Sequence, residues 1–176
     1  MIPKRIAVSL VIVFLALSVA CTTGISKHAR SQVTYTGSFS TIQKDPGGHV
    51  GSVVMLGGKI LETEASSTSS EIALLQLPLG KNDRPKDGGR SEGRFLLRAA
   101  EFLDPTIYDK GTLLTVVGRV SGSEVRPIGG SNYVYPVVES IEIKQWRERN
   151  QDGTGINLGV GVGSGGRGGA GVGFGF

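Results

Sequence analysis

Five apolar, β-branched segments lie between Val50 and Trp146, separated by clusters of glycine, proline, serine and aspartate, and nothing else in the chain constrains its fold as much. No helical period persists through this region, so the pattern reads as short strands joined by turns. The first strand is expected over Val50–Thr63, where Gly57-Gly58 interrupts the alternation as a bulge or sharp bend would. Ala65–Ser70 reads as a hairpin loop. The second strand, Glu71–Leu79, is too apolar for one wet face and is expected to be central until Pro78 ends it. Leu75, Leu77, Val116 and Val138 are the expected core positions.

A charged excursion, Gly80–Glu92, precedes the third strand, Gly93–Ala99. Asp104-Pro105 then suits a capped helical turn that ends near Gly111. The fourth strand, Thr112–Val125, is long, and Gly118 within it suggests a coiled strand shared by two halves of a barrel. Ile128–Asn132 forms the last turn, and Tyr133–Trp146 the fifth strand. Periodicity alone implies an all-β fold, a small antiparallel barrel or sandwich. Five to six strands with an early glycine bend and a short turn-helix resemble the Greek-key OB (oligonucleotide/oligosaccharide-binding) barrel.

The N-terminus carries a different signal. Lys4 and Arg5 precede an uncharged run, Ile6–Ala20, that is shorter than the ~20 residues a spanning helix needs. The run ends at Cys21, the one cysteine of the chain. Leu17-Ser18-Val19-Ala20-Cys21 resembles a bacterial lipobox, although the commonest form has leucine where Ser18 stands. The resemblance implies diacylglycerol transfer to the Cys21 sulfur, cleavage after Ala20 and acylation of the new amino terminus. The alternatives are an ordinary signal peptide with a cysteine near the cut, or an uncleaved anchor helix. A lone thiol elsewhere in an exported chain would have no disulfide partner. Thr22 rather than aspartate follows the cysteine, which by analogy favours the outer membrane.

Removal of residues 1–20 takes away Lys4 and Arg5 but no acid, so the formal charge falls from +4 to +2. So small an excess gives no reason to expect a nucleic-acid partner. The remaining 156 residues suit one domain with one modest core. The expected organisation is signal peptide 1–20, polar tether 21–38, β-barrel domain 39–149 and glycine-rich tail 150–176. Within the tether region Thr22–Gly37 is polar, and one helical turn is expected over Phe39–Lys44. In the tail, 12 of the 24 residues from Gly153 to Phe176 are glycine. A flexible tail is the expected state, because glycine loses most entropy on ordering. The alternate apolar residues Ile156, Leu158, Val160, Val172 and Phe174 leave an ordered or membrane-contacting hairpin as the alternative.

Catalysis would have to draw on Glu71, Glu92, Asp104 or the two histidines, His28 and His49. No nucleophile–base grouping, metal-ligand spacing or phosphate loop surrounds them, so no catalytic residue, metal site or cofactor is expected. The histidines read as solvated or structural. Phe95, Tyr133, Tyr135 and Trp146 could stack on a ligand at the barrel face or lie in the core.

Short matches from Phe39 to Trp146 resemble the Slp family of starvation-inducible outer-membrane lipoproteins of Gram-negative bacteria. They include Gly57–Ile60, Leu75-Gln76-Leu77-Pro78-Leu79, Ser91-Glu92-Gly93-Arg94-Phe95, Phe102–Pro105, Thr115–Gly122 and Tyr135-Pro136-Val137-Val138. The resemblance implies a non-enzymatic envelope protein, held in outer-membrane lipid through acylated Cys21, with a structural or binding role under starvation or stress. An envelope protein or glycan partner is left open, with an OB-face module for glycan or lipopolysaccharide as the alternative and a hydrolase as a distant third. The family supplies no catalytic residues to carry over.

Overall fold

The computed structural model describes residues 24–146, 157–159 and 171–173. Two short helices, α1 (Lys27–Ser31) and α2 (Phe39–Lys44), precede five strands: β1 (Val53–Ala65), β2 (Ser70–Leu77), β3 (Arg94–Ala99), β4 (Leu113–Ile128) and β5 (Ser131–Trp146). The strands close into a barrel in the order β1-β2-β3-β5-β4, the strand order of the OB fold. Four of the pairings are antiparallel. The fifth, β3 with β5, is parallel over Leu96–Arg98 and Val137–Glu139. The connection after β3 delivers β4 to the side of β1, and the β4–β5 hairpin then returns β5 alongside β3 in the same direction.

Alternate residues of the strands fill the interior. Val54, Leu56 and Ile60 come from β1, Ile72 and Leu74 from β2, Phe95 and Leu97 from β3, Leu114, Val116 and Val120 from β4, and Val138 from β5. Phe39 and Ile42 of α2 join the same cluster, with the Phe39 ring 5.8 Å from that of Phe95. The expected helical turn over Phe39–Lys44 is therefore a core element. Leu103 and Tyr108 also pack into the cluster, from the segment between β3 and β4. That segment is a turn rather than a helix: the Thr106 amide donates to Asp104 Oδ1 (2.8 Å), and the amides of Ile107 and Tyr108 share the Asp104 carbonyl.

The Gly57-Gly58 pair does not form the expected bulge. Both residues keep regular register, opposite Leu77 and Gln76, and the register shift falls at Leu61, between Ile60 and Glu62. The pair is needed for close approach instead: a Cβ on Gly57 would lie 2.7 Å from both the Leu77 carbonyl oxygen and Leu79 Cδ2. The segment after β2 folds back over this wall, with Leu79 bridged to Pro85. Leu77 is buried. Leu75, on the same outer face, is only half-buried, contrary to expectation. Val116 and Val138 are buried as expected.

The N-terminal segment also departs from the tether reading. Ile25 and Ala29 are buried in a second cluster with Val53 and Val117, on the outside of β1 and β4. The Ser26 side chain caps α1 by accepting from the Ala29 amide, and the Val53 carbonyl accepts from the amides of both Thr34 and Tyr35. Polar composition concealed the two apolar residues that fasten the segment down.

Beyond the described part of the barrel chain, β6 (Asn157–Gly159) and β7 (Gly171–Gly173) pair antiparallel. The rest of the glycine-rich tail, Cys21 and residues 1–20, where a signal peptide is expected, lie outside the described residues.

Candidate functional site

Two surfaces of the barrel bear on function. The first is the outer face of β2 and β3, and it is covered by the chain itself. β4 and β5 run beyond the barrel wall as a hairpin whose two-residue turn, Gly129-Gly130, has φ of 54° and 84°, the left-handed pair that a tight hairpin requires. The hairpin bends onto β2 and β3. Tyr135 and Val137 are buried against Leu96, with Ala73, Ile128 and Tyr133 packed around them. The Tyr133 hydroxyl accepts from the Arg94 amide (2.8 Å) and donates to Gln43 Oε1 (3.3 Å).

Four side chains lock the hairpin in place. Arg98 binds Glu71 (2.9 Å) and Glu124, while Arg126 binds the same two carboxylates at 2.5 and 2.7 Å. Each charge thus meets two of opposite sign. Hydrogen bonds from Arg126 and then Arg98 hold the Glu124 carboxyl below its usual range. Hydrogen bonding to Glu124 first, and to Glu71, raises Arg98. In this register Pro127 stands opposite Asn132 and Pro136 opposite Ser123.

The second surface surrounds the start of the domain. Gly24 lies directly against the loop after β2: a Cβ added to it would be 2.9 Å from Asp83 Oδ2 and 3.2 Å from the Asn82 carbonyl oxygen. Asn82 and Asp83 have φ of 56° and 64°, left-handed conformations that these two residue types tolerate best. Arg30 of α1 pairs with Asp83, and Glu142 accepts from the Ser26 amide (2.8 Å) and hydroxyl (2.5 Å). The Thr115 hydroxyl donates to the Asp83 carbonyl (2.5 Å) and accepts from Trp146 Nε1 (2.9 Å). Arg84 and Lys144 each place their charge 5.8 Å from the centre of the Trp146 ring. Gly24, the 82–84 loop and Trp146 are thus one connected patch.

The candidate catalytic residues are dispersed, each in a local structural contact. Glu71 belongs to the charge lattice. Glu92 accepts from the Ser40 amide at the start of α2 (2.8 Å), and its own amide donates to Gln76 Oε1 (2.9 Å). Asp104 holds its turn. His28 is exposed on α1, and His49 packs edge-on to Tyr35 with ring centres 4.7 Å apart. No cluster of three or more metal-ligating side chains occurs among the described residues. An open cleft of about 380 Å³ beside the β1–β2 turn is lined by Glu64, Ser66, Ser69, Ser70, Glu71 and Arg98. Ser70 there is already engaged, donating to the Glu101 carbonyl (2.9 Å) and accepting from the Leu103 amide (2.8 Å). The aromatic residues form no common platform: Phe95 is inside the barrel, Tyr133 and Tyr135 lie under the hairpin, and Trp146 ends β5. The covering hairpin and the Gly24–Trp146 patch were not anticipated. A Gly-Gly turn between two strand-like segments signals the hairpin itself, but nothing in it signals which way the hairpin bends.

Fold and surfaces together define a small OB-type barrel that covers its own β2–β3 face and has its N-terminal arm fastened to the opposite wall. The family model described as "Outer membrane lipoprotein Slp family" matches residues 18–159. The chain belongs to this family, in agreement with the expected lipid-anchored, outer-membrane location. It is 30% identical over 122 residues to the uncharacterized lipoprotein YeaY of Escherichia coli K12, covering 65% of this chain and 63% of that one. It is 29% identical over 112 residues to the outer membrane protein Slp of the same organism, covering 64% and 59%. An uncharacterized protein of Haemophilus influenzae is 33% identical over 94 residues, covering 53% and 51%. The chain thus spans between half and two thirds of the length of these relatives. A small single-stranded DNA-binding protein from Streptomyces coelicolor aligns in structure with a TM-score of 0.38 and 13% identity, covering 54% of this chain and 94% of that one.

Proposed function

We propose that this protein is a non-enzymatic outer-membrane lipoprotein, acylated at Cys21, whose barrel serves a structural or binding role in the envelope under starvation or stress. One observation carries the reading: the arm that follows Cys21 is fastened to the barrel from Ile25 onward, so an acyl anchor at Cys21 would hold the whole domain close to the lipid. Outer-membrane lipid, met through acylated Cys21, is the partner this reading requires. Two or three acyl chains on one residue hold far more firmly than the marginal grip of one. A glycan or lipopolysaccharide module acting through the OB face is the weaker reading, because Ile128, Tyr133 and Tyr135 occupy that face. Cys21→Ala should abolish metabolic palmitate labelling and release the domain from the membrane fraction. Undiminished labelling of that variant would refute acylation at Cys21.

A further inference from the structure

The short distance between Cys21 and the barrel has a second consequence. Only three residue steps separate Cys21 from Gly24, a reach of at most about 11 Å at 3.8 Å per step. Gly24 is itself packed against Asn82 and Asp83. If Cys21 is acylated, as the proposed function holds, the wall around Gly24 cannot stand clear of the bilayer. The chemistry of that wall suits such a neighbour. Lys81 and Arg84 are exposed on the same loop, and Lys144 lies beside Trp146. With Arg30, four cations face two carboxylates, and both carboxylates are already engaged: Asp83 by Arg30, and Glu142 by Ser26. Among the described residues, Lys81, Arg84 and Lys144 have no carboxylate within ion-pair distance. Trp146 is half-buried, its indole N–H bonded to Thr115 and its ring flanked by two cations. An amphipathic ring so placed suits the boundary between headgroups and acyl chains. Lys81 and Arg84 flank Asn82 and Asp83, against which Gly24 packs, so their attraction to anionic headgroups acts at short range and weakens as salt screens it.

We infer that the wall formed by Lys81, Arg84, Lys144 and Trp146 rests on the anionic lipid headgroups of the membrane that holds the anchor, and so fixes the orientation of the barrel. The β4–β5 hairpin, on the β2–β3 side, then points away from the lipid.

The chain's single tryptophan makes the contact directly readable. The full-length acylated protein would be reconstituted into vesicles of phosphatidylcholine alone, or of phosphatidylcholine with phosphatidylglycerol as the minor component, with a quencher attached at either headgroup or chain-end depth. Trp146 emission should be quenched by the headgroup-depth quencher in the anionic vesicles, and the quenching should fall at least twofold in neutral vesicles or in high salt. Lys81→Glu should weaken it while leaving Arg84 and Lys144, the cations beside the ring, in place. The triple reversal of Lys81, Arg84 and Lys144 to Glu should abolish it. Circular dichroism identifies any variant that has lost its fold, in which case Lys81→Glu decides. Unquenched Trp146 in vesicles that retain the wild-type protein overturns the inference, and so does equal quenching in neutral and anionic vesicles. Wild-type protein that neither incorporates palmitate nor stays with the vesicles would instead refute acylation at Cys21.

Discussion

Gly118→Ala tests the barrel at its tightest point. Gly118 points inward from β4 beside a register shift against β5, and a Cβ there would lie 2.5 Å from both the Glu139 carbonyl oxygen and Val138 Cγ1. Comfortable carbon contacts begin near 3.5 Å, so about an ångström must be recovered on two sides at once. One obstacle is the β5 backbone, and Val138 is itself fully buried, so neither can simply rotate away. The backbone at Gly118 is not left-handed, so the alanine meets no conformational penalty of its own. Overpacking of this kind costs ~1–3 kcal/mol. Against it stands a gain of ~0.4–1 kcal/mol, because alanine restricts the unfolded chain more than glycine does. The clash prevails, and a net loss of about 1–2 kcal/mol is expected. Urea titration of the full chain should show a lower midpoint at an unchanged slope. A midpoint at or above that of the wild type would refute the close approach of β4 to β5, and with it the placement of the register shift.

Two further outcomes follow from the same structure. Ala29→Asp would place a carboxylate between Val53 and Val117, and a loss of at least about 1–3 kcal/mol is expected by thermal denaturation; unchanged stability would return residues 24–38 to the status of a free tether. The Glu124 carboxyl titrates below its ordinary 4.5 in the folded chain, so its stabilising contribution is present above that pH and lost as pH falls through the lowered value. Melting curves between neutral and acid pH should therefore show the advantage of wild type over Glu124→Gln shrinking on acidification, and also in high salt because the lattice is partly exposed.

The residues of this chain decide a great deal without reference to one another in space. Gly, Pro and Asp clusters cut the chain into strands because each restricts or frees a dihedral locally. Uncharged Ile6–Ala20 ahead of one cysteine leads to the expectation of a signal in the same local way, since apolar length and a small residue before Cys21 are properties of contiguous sequence. Boundaries agree to within a few residues: β3 is expected from Gly93 and starts at Arg94, and β4 is expected from Thr112 and starts at Leu113. What the tertiary structure alone decides is which outer faces are covered. Leu75 and Leu77 are the same residue type on the same face of β2, yet only Leu77 lies deeply buried. Ile25 and Ala29 sit in a polar stretch, and only the bare wall of Val53 and Val117 makes them core. Gly57-Gly58 could equally have been a bulge, and it is the returning segment at Leu79 and Pro85 that requires the missing side chains. Glu71, Arg98, Glu124 and Arg126 come from three strands and meet because the hairpin bends toward β3. Periodicity reports on a residue's own strand, whereas coverage depends on what a distant segment brings to that strand, and long-range packing leaves no local trace.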